Sequence, residues 1–271
     1  MRAALAALAA CVLLCAPPGR AADSSPGAPS LPLQHGEKLV YRVSWAVVPG
    51  AGEIKIEAHR DPAAPDERLI VTSTTATRRL ARMLLPFDAT SDSIFDLRTG
   101  QLLSLHEKNN HRGKNNAHNV TFDYTKREAT YSLPGAAART LPIPGGDPVD
   151  LIMGLIETRS WNLKAGGKRD ALILFDDDFY ELTIHFARHE DVRTPMGTFK
   201  TVVLEPRMDK TAPKGMFKRG SKVRVWIAQD AHRLPVKFEV EFKIGTGTAT
   251  LESYTPPSPA QAAAGRPAPA R

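Results

Sequence analysis

From Leu234 to Ile244 the chain alternates strictly between apolar and polar positions. Leu234, Val236, Phe238, Val240, Phe242 and Ile244 are apolar, and Lys237, Glu239, Glu241 and Lys243 stand between them. A period of two is that of a strand with one buried and one wet face. Leu39, Tyr41, Val43 and Trp45 repeat it. Ile54 and Ile56 alternate with Lys55 and Glu57; Tyr180, Leu182, Ile184 and Phe186 with Glu181, Thr183 and His185; and Val223, Val225 and Ile227 with Lys222, Arg224 and Trp226. Turn-forming residues at 49–52, 98–100, 176–178, 195–197 and 245–247 separate such runs. Strands joined by short turns imply antiparallel pairing in a meander.

One segment has helical character. Asp147 supplies an N-cap, Pro148 suits the first helical position, and residues 149–159 form the body. Val149, Leu151, Ile152, Met153, Leu155 and Ile156 cover most of its circumference, so the helix should be buried on several sides. Residues 78–85 read as a second, short helical turn ended by Pro86. The expected fold is mainly β: a strongly curved antiparallel sheet or half-barrel, in meander order, with one buried helix.

The first 21 residues read as a secretory leader: Arg2, then an uncharged apolar run from Ala3 to Ala16, then Pro17-Pro18-Gly19 and a small residue at Ala21. Cleavage after Ala21 or Ala22 places the protein in the periplasm. A rival reading takes Leu8-Ala9-Ala10-Cys11 as a lipobox and makes Cys11 a lipidated N-terminus; the apolar run before it is short for such a leader. Cys11 and Cys15 are the only cysteines, so a cleaved chain folds without disulfides. No later run approaches the roughly 20 apolar residues of a transmembrane helix, and no transmembrane span is expected in the mature chain. Residues 22–33 and 255–271 are rich in Pro, Ala, Ser and Gly and read as a disordered linker and a disordered tail around a single domain, 34–254.

The whole chain carries +7, and removing Arg2 and Arg20 leaves +5. This mild, dispersed excess without interleaved aromatics argues against nucleic acid as a partner. His185 and His189 lie on a strand pattern, where four residues span about 13 Å, too far for one ion. Asp176-Asp177-Asp178 lacks the spaced ligands and glycine of a calcium loop and reads as a polar turn. His106, Glu107, His111 and His118 sit in an Asn-rich hairpin with a long wet turn around Gly113, at spacings that fit no ligand set. Nucleophile elbows, phosphate loops and zinc-helix motifs are absent from the sequence. No catalytic residue, metal or cofactor is therefore assigned.

Two segments join cations to flexible apolar groups: Arg78, Arg79 and Arg82 with Met83, Leu84 and Leu85, and Lys218, Arg219 and Lys222 with Met216 and Phe217. Such pairings suit an anionic lipid interface; solvated loops with anchoring side chains are the plainer account. Arg78, Arg79, Met83, Met216, Phe217, Lys218 and Arg219 are the candidate ligand-binding residues.

Three stretches carry a family resemblance. Residues 36–45, GEKLVYRVSW, resemble the opening strand of a group of exported bacterial proteins known as the domain of unknown function DUF3108. Residues 194–206, TPMGTFKTVVLEP, resemble its most recognisable hairpin, and residues 225–230 with 233–236 its closing strands. The resemblance spans nearly all of the folded region, but its motifs are hairpins and transfer no site. Such proteins are similar in outline to the curved half-barrels that carry lipoproteins between envelope membranes, an analogy of fold alone. The functional expectation is a non-enzymatic envelope protein that binds or carries a hydrophobic, lipid-like ligand. The alternative is a structural or protein-interaction module of the envelope with a filled core; the expected partner is a lipid or another envelope component. A hydrolase with a noncontiguous site has the least support.

Overall fold

The computed structural model describes residues 31–258, apart from Val47, Lys243, Ile244 and the side chains of Met216, Arg219 and Phe242. The leader, residues 22–30 and the tail from 259 onward lie outside the described residues. Three residues of the segment read as a linker belong to the domain. Leu33 is buried in the main core, Leu31 packs against that core, and the Pro32 carbonyl accepts from Arg159.

The chain is mainly β. In order it forms β1 (Lys38–Trp45), β2 (Val48–Arg60), β3 (Arg68–Thr77), α1 (Arg79–Leu84), β4 (Phe87–Asp96), β5 (Leu102–His111), β6 (Lys114–Asp123), β7 (Glu128–Ser132), β8 (Arg139–Pro142) and β9 (Pro148–Asp150). There follow α2 (Leu151–Glu157), a 3-10 turn (Thr158–Ser160), β10 (Lys168–Phe175), β11 (Asp178–Thr194), β12 (Gly197–Arg207), a 3-10 helix (Gly215–Gly220), β13 (Lys222–Ala228), β14 (Pro235–Phe242) and β15 (Gly245–Thr255).

All strands join one sheet in the order β8-β7-β6-β5-β4-β3-β2-β1-β15-β14-β13-β12-β11-β10-β9. Every neighbouring pair is antiparallel except β9 with β10. The sheet is thus two meanders joined where β1 pairs with β15. Pro142 ends one edge strand and Pro148 begins the other. Six residues reach at most about 21 Å, so the two edges are neighbours although they are not hydrogen-bonded. Leu105, Val120 and Tyr131 of one end share an apolar cluster with Leu172, Leu174 and Phe179 of the other.

The alternation predicts the strands well, with local departures. The first reversal comes between Trp45 and Val48, so the Pro49–Gly52 signal lies inside β2. Gly52 has a packing reason instead: a Cβ there would meet the Ala76 carbonyl oxygen at 2.9 Å. The β5–β6 turn is short, not long and wet. His111 pairs with Lys114 around Arg112 and Gly113, both at positive φ, the geometry of a tight two-residue hairpin. Trp226, on the polar side of its alternation, is 2 % exposed because Lys237 Nζ lies 4.1 Å from its ring centroid and covers it.

Two α-helices are present among the described residues, not one. α1 buries no residue. α2 begins three residues later than its expected cap at Asp147. Residues 148–150 pair with Leu172–Leu174 of β10 and stay extended, so Asp150 is the cap. Its Oδ1 accepts from the N–H groups of Ile152 and Met153 at 2.8 and 2.9 Å. Met153 and Ile156 enter the core, while Leu151 is exposed and Ile152 and Leu155 are half-buried. No helix among the described residues is long and apolar enough to cross a membrane.

Candidate functional site: an apolar cleft beside an acidic chamber

Burial falls along several strands toward one of their ends. In β1, Leu39 and Tyr41 are buried, Val43 is half-buried and Trp45 is exposed. In β14, Val236 is buried while Phe238 and Val240 are half-buried; in β13, Ile227 and Val225 are buried and Val223 is not. Antiparallel pairing places the end of β1, the start of β13 and the end of β14 on that same side.

Val223, Phe238 and Val240 line a cleft of about 140 Å³ between α2 and the facing side of β10–β14. Leu151, Ile152, Gly154 and Leu155 form its helix wall, and Ile173, Leu182, Ile184, Leu204, Val225 and Val240 are among its sheet wall. Phe217, from the 3-10 helix before β13, also lines it. The apolar circumference of α2 thus has two uses: one side fills the core and the other faces the cleft. Gly154 permits the close approach, since a Cβ there would fall 2.4 Å from Ile173 Cδ1.

A second cavity, also about 140 Å³, borders the first turn of the same helix and shares Leu151 and Ile152 with the cleft. Its other walls are mixed: Ser73, Thr75, Ser91, Glu107, Asp150 and Asp176 are polar, and Ala89, Leu105, Leu174 and Phe175 are apolar. Asp150 is 6 % exposed, and its Oδ2 has no hydrogen bond. Burial raises the Asp150 pKa, against the Ser93 hydroxyl and the Met153 and Ile152 N–H groups, which favour the ionised form. Burial likewise raises Glu107, opposed by His118 and reinforced by the negative charges of Asp176 and Asp150. Glu107 and His118 are cross-strand partners, with Oε2 and Nε2 3.9 Å apart. The His118 ring stacks on Tyr131 at 5.1 Å, and Tyr131 donates to Asp176 at 3.3 Å.

Larger depressions are less suited to a ligand. One of about 430 Å³ lies along the Asn-rich hairpin, where Asn109 bonds to Asn116 and Asn110 to Asn115. Their amides satisfy one another across the strands and leave no convergent recognition group.

Of the candidate residues from sequence, Phe217 reaches the cleft. Lys218 is exposed on the same 3-10 helix, and the side chains of Met216 and Arg219 lie outside the described set. Arg78 precedes α1 and pairs with Glu53 at 3.1 Å. Arg79 is exposed at positive φ, and Met83 is 80 % exposed. α1 packs on β2, whereas Phe217 packs near Tyr180 of β11. The two basic-apolar segments therefore belong to different stretches of the sheet. Asp176 and Asp177 form the β10–β11 turn. Asp177 pairs with Arg139, and Asp178 at the start of β11 pairs with Lys214 at 2.7 Å. His185 contacts Asp209 and His189 packs edge-on to Phe186, both along β11.

A family model described as "Protein of unknown function (DUF3108)" matches residues 40–252. The chain belongs to the DUF3108 family. Among solved structures, this DUF3108 protein is similar to a β-barrel-like protein of domain of unknown function DUF1849 from Brucella abortus. The TM-score is 0.50 at 8 % identity, over 80 % of this chain and 96 % of that one. This likeness shows a shared fold and nothing of activity. A protein of Parabacteroides distasonis described as a lipoprotein gives a TM-score of 0.31 at 11 % identity, covering 83 % and 99 % of the two chains. A Bacteroides fragilis protein described as exported and YmcC-like in fold gives 0.30 at 12 %, covering 84 % and 99 %. Both are too distant to inform the DUF3108 chain. The search of curated proteins gives no match.

The sequence offered no direct route to Glu107, His118 and Asp150 as neighbours. Asp150 lies more than 30 residues from the other two and meets them through the approach of the sheet edges. One signal was present: an acid directly before an apolar helical run marks an N-cap, and choosing Asp150 over Asp147 would have placed the helix start correctly.

Proposed function

We propose that this protein is an exported, non-enzymatic binding or carrier protein of the envelope, and that its sheet curves as a half-barrel around an amphiphile-binding interior. The observation that carries the reading is the cleft itself. Its walls are mostly Leu, Ile, Val and Phe, and it lies where burial fades toward one end of the strands. Apolar cavities of this size admit small apolar groups, and an apolar pocket bordered by a few convergent polar groups is the common form of a ligand site. About 140 Å³ suits a ring or a short acyl segment. Export rests on the leader: its reading predicts a mature N-terminus at Ala22 or Asp23, which mass spectrometry of the secreted protein checks. A diacylglyceryl group on Cys11 would replace release with membrane anchoring.

The test of binding is uptake of N-phenyl-1-naphthylamine, whose fluorescence rises in apolar surroundings. The wild type should bind it saturably, and Val240→Trp, which fills the cleft from the sheet side, should abolish uptake with the fold intact by circular dichroism. Absence of uptake by the wild type would favour an interaction module with a filled interior.

A further inference from the structure

The chamber beside the cleft has a definite electrostatic sign. Three carboxylates line it, and Lys and Arg are absent from its walls. Asp150 Oδ2 is buried without a hydrogen bond, a condition that calls for a donor. The cross-strand neighbour of Glu107, His118, stands 3.9 Å away and is itself left with an unbonded Nε2. The remaining polar lining is hydroxyl: Ser73, Thr75 and Ser91. Leu151 and Ile152 separate this chamber from the apolar cleft and belong to both.

We propose that the two cavities are the two ends of one amphiphile site, whose polar end accepts a cationic, hydrogen-bond-donating head, such as the primary ammonium of an alkylamine or aminolipid. The proposal rests on the binding function above and fixes the chemical class of ligand. An ammonium brings a positive charge, which no Lys or Arg of the walls supplies, and three donors for Asp150 Oδ2 and the neighbouring carboxylates. Its apolar tail would pass Leu151 and Ile152 into the space facing Ile173 and Val240. A carboxylate or phosphate head would instead meet Glu107, Asp150 and Asp176 without a cation to receive it. The basic groups Arg78 and Lys218, which from sequence suggested an anionic lipid, do not line the chamber, and Arg78 is paired with Glu53.

The experiment displaces bound N-phenyl-1-naphthylamine from the full mature protein with octylamine, octanol and octanoate at neutral pH. Octylamine should displace the probe at a concentration at least tenfold below octanoate, with octanol between them. Glu107→Gln should bring octylamine to the level of octanol, and saturable binding of the naphthyl probe itself, which occupies the apolar cleft, shows that the variant keeps its cleft. Glu107 is the position to change because Asp150 also caps α2, and its loss would disturb the helix. Octanoate equal to or better than octylamine overturns the inference while leaving the cleft as a binding site. If the naphthyl probe does not bind, calorimetry with octylamine and octanoate decides: heat from octylamine that depends on Glu107 upholds the inference, and none from either overturns both readings.

Discussion

Arg159 Nη1 lies 3.0 Å from Glu37 Oε1, an ion pair whose acid is 2 % exposed. Tyr254 donates to the same oxygen at 2.6 Å, and the Gln34 N–H bonds the other oxygen at 2.7 Å. The pair pins the 3-10 turn after α2 to the segment before β1 and to the end of β15. It thereby ties the end of α2 to the first and last strands of the sheet. Removing one member of a buried pair leaves a stranded charge. Arg159→Leu should therefore lower unfolding free energy by about 3–5 kcal/mol. Arg82→Ala, which breaks an exposed, solvent-screened pair with Asp88, should leave the urea midpoint nearly unmoved. Urea denaturation reads both, and equal costs would show that the pin does not hold the helix.

The outward face of β14 is a charge lattice. Glu239 bonds Arg224 at 2.7 Å and Lys237 at 3.2 Å, with 16 % side-chain exposure. Glu239→Lys replaces two attractions by two repulsions and should cost about 1–3 kcal/mol. Glu239→Gln, which keeps the shape, should cost less. A urea midpoint unmoved by the charge reversal would show the lattice to be energetically idle.

That lattice marks a limit of what alternation can tell. The pattern in residues 234–244 assigns two faces correctly, because a strand has only two. It cannot distinguish an open wet face from one covered by neighbouring strands, so Glu239 and Trp226 read as exposed when both are largely covered. The same limit applies inside: Val236 and Val240 have one chemistry and one parity, yet the first is core and the second lines a cleft. The difference depends on where α2 ends its packing, which is a tertiary fact. The displaced cap of α2 has a local cause. Pro148 fits a helix start and an edge strand equally, and pairing with β10 decides between them.

Glu157 lies at the end of α2, where burial raises its pKa to about 7, against the attraction of Arg169 and with the negative charge of Asp150 adding to the rise. A carboxyl with a raised folded pKa binds its proton more tightly in the native state. Stability from this group is present below the unfolded value of 4.5 and is lost as pH rises through about 7. The loss is on the order of 3 kcal/mol. Glu157→Gln should be more stable than wild type at pH 8 and should match it near pH 4, by chemical denaturation at each pH. A difference that does not change with pH would sink this assignment.

The rim of the cleft turns on Gly215. It has φ +53°, and a Cβ there would fall 2.2 Å from the Tyr180 hydroxyl oxygen. The 3-10 helix that carries Phe217 can therefore seat beside Tyr180, 6.3 Å between ring centroids, only with glycine at this position. Lys214 adds a cation over the same Tyr180 ring at 4.8 Å and an ion pair to Asp178, so the segment is held from its first residue. Gly215→Ala should destabilise the protein by about 1–2 kcal/mol, since it strains the backbone at positive φ and displaces the ring of Tyr180, a member of the main core. Its larger effect should be kinetic. With Phe217 unseated, the naphthyl probe should enter and leave faster in stopped-flow mixing, the two rates rising together and affinity changing little. Tyr180→Leu, which removes the obstructing ring, should restore part of the stability to the alanine variant. Entry and exit rates equal to those of the wild type would show that the segment before β13 does not govern access, and would place the entrance elsewhere along the cleft.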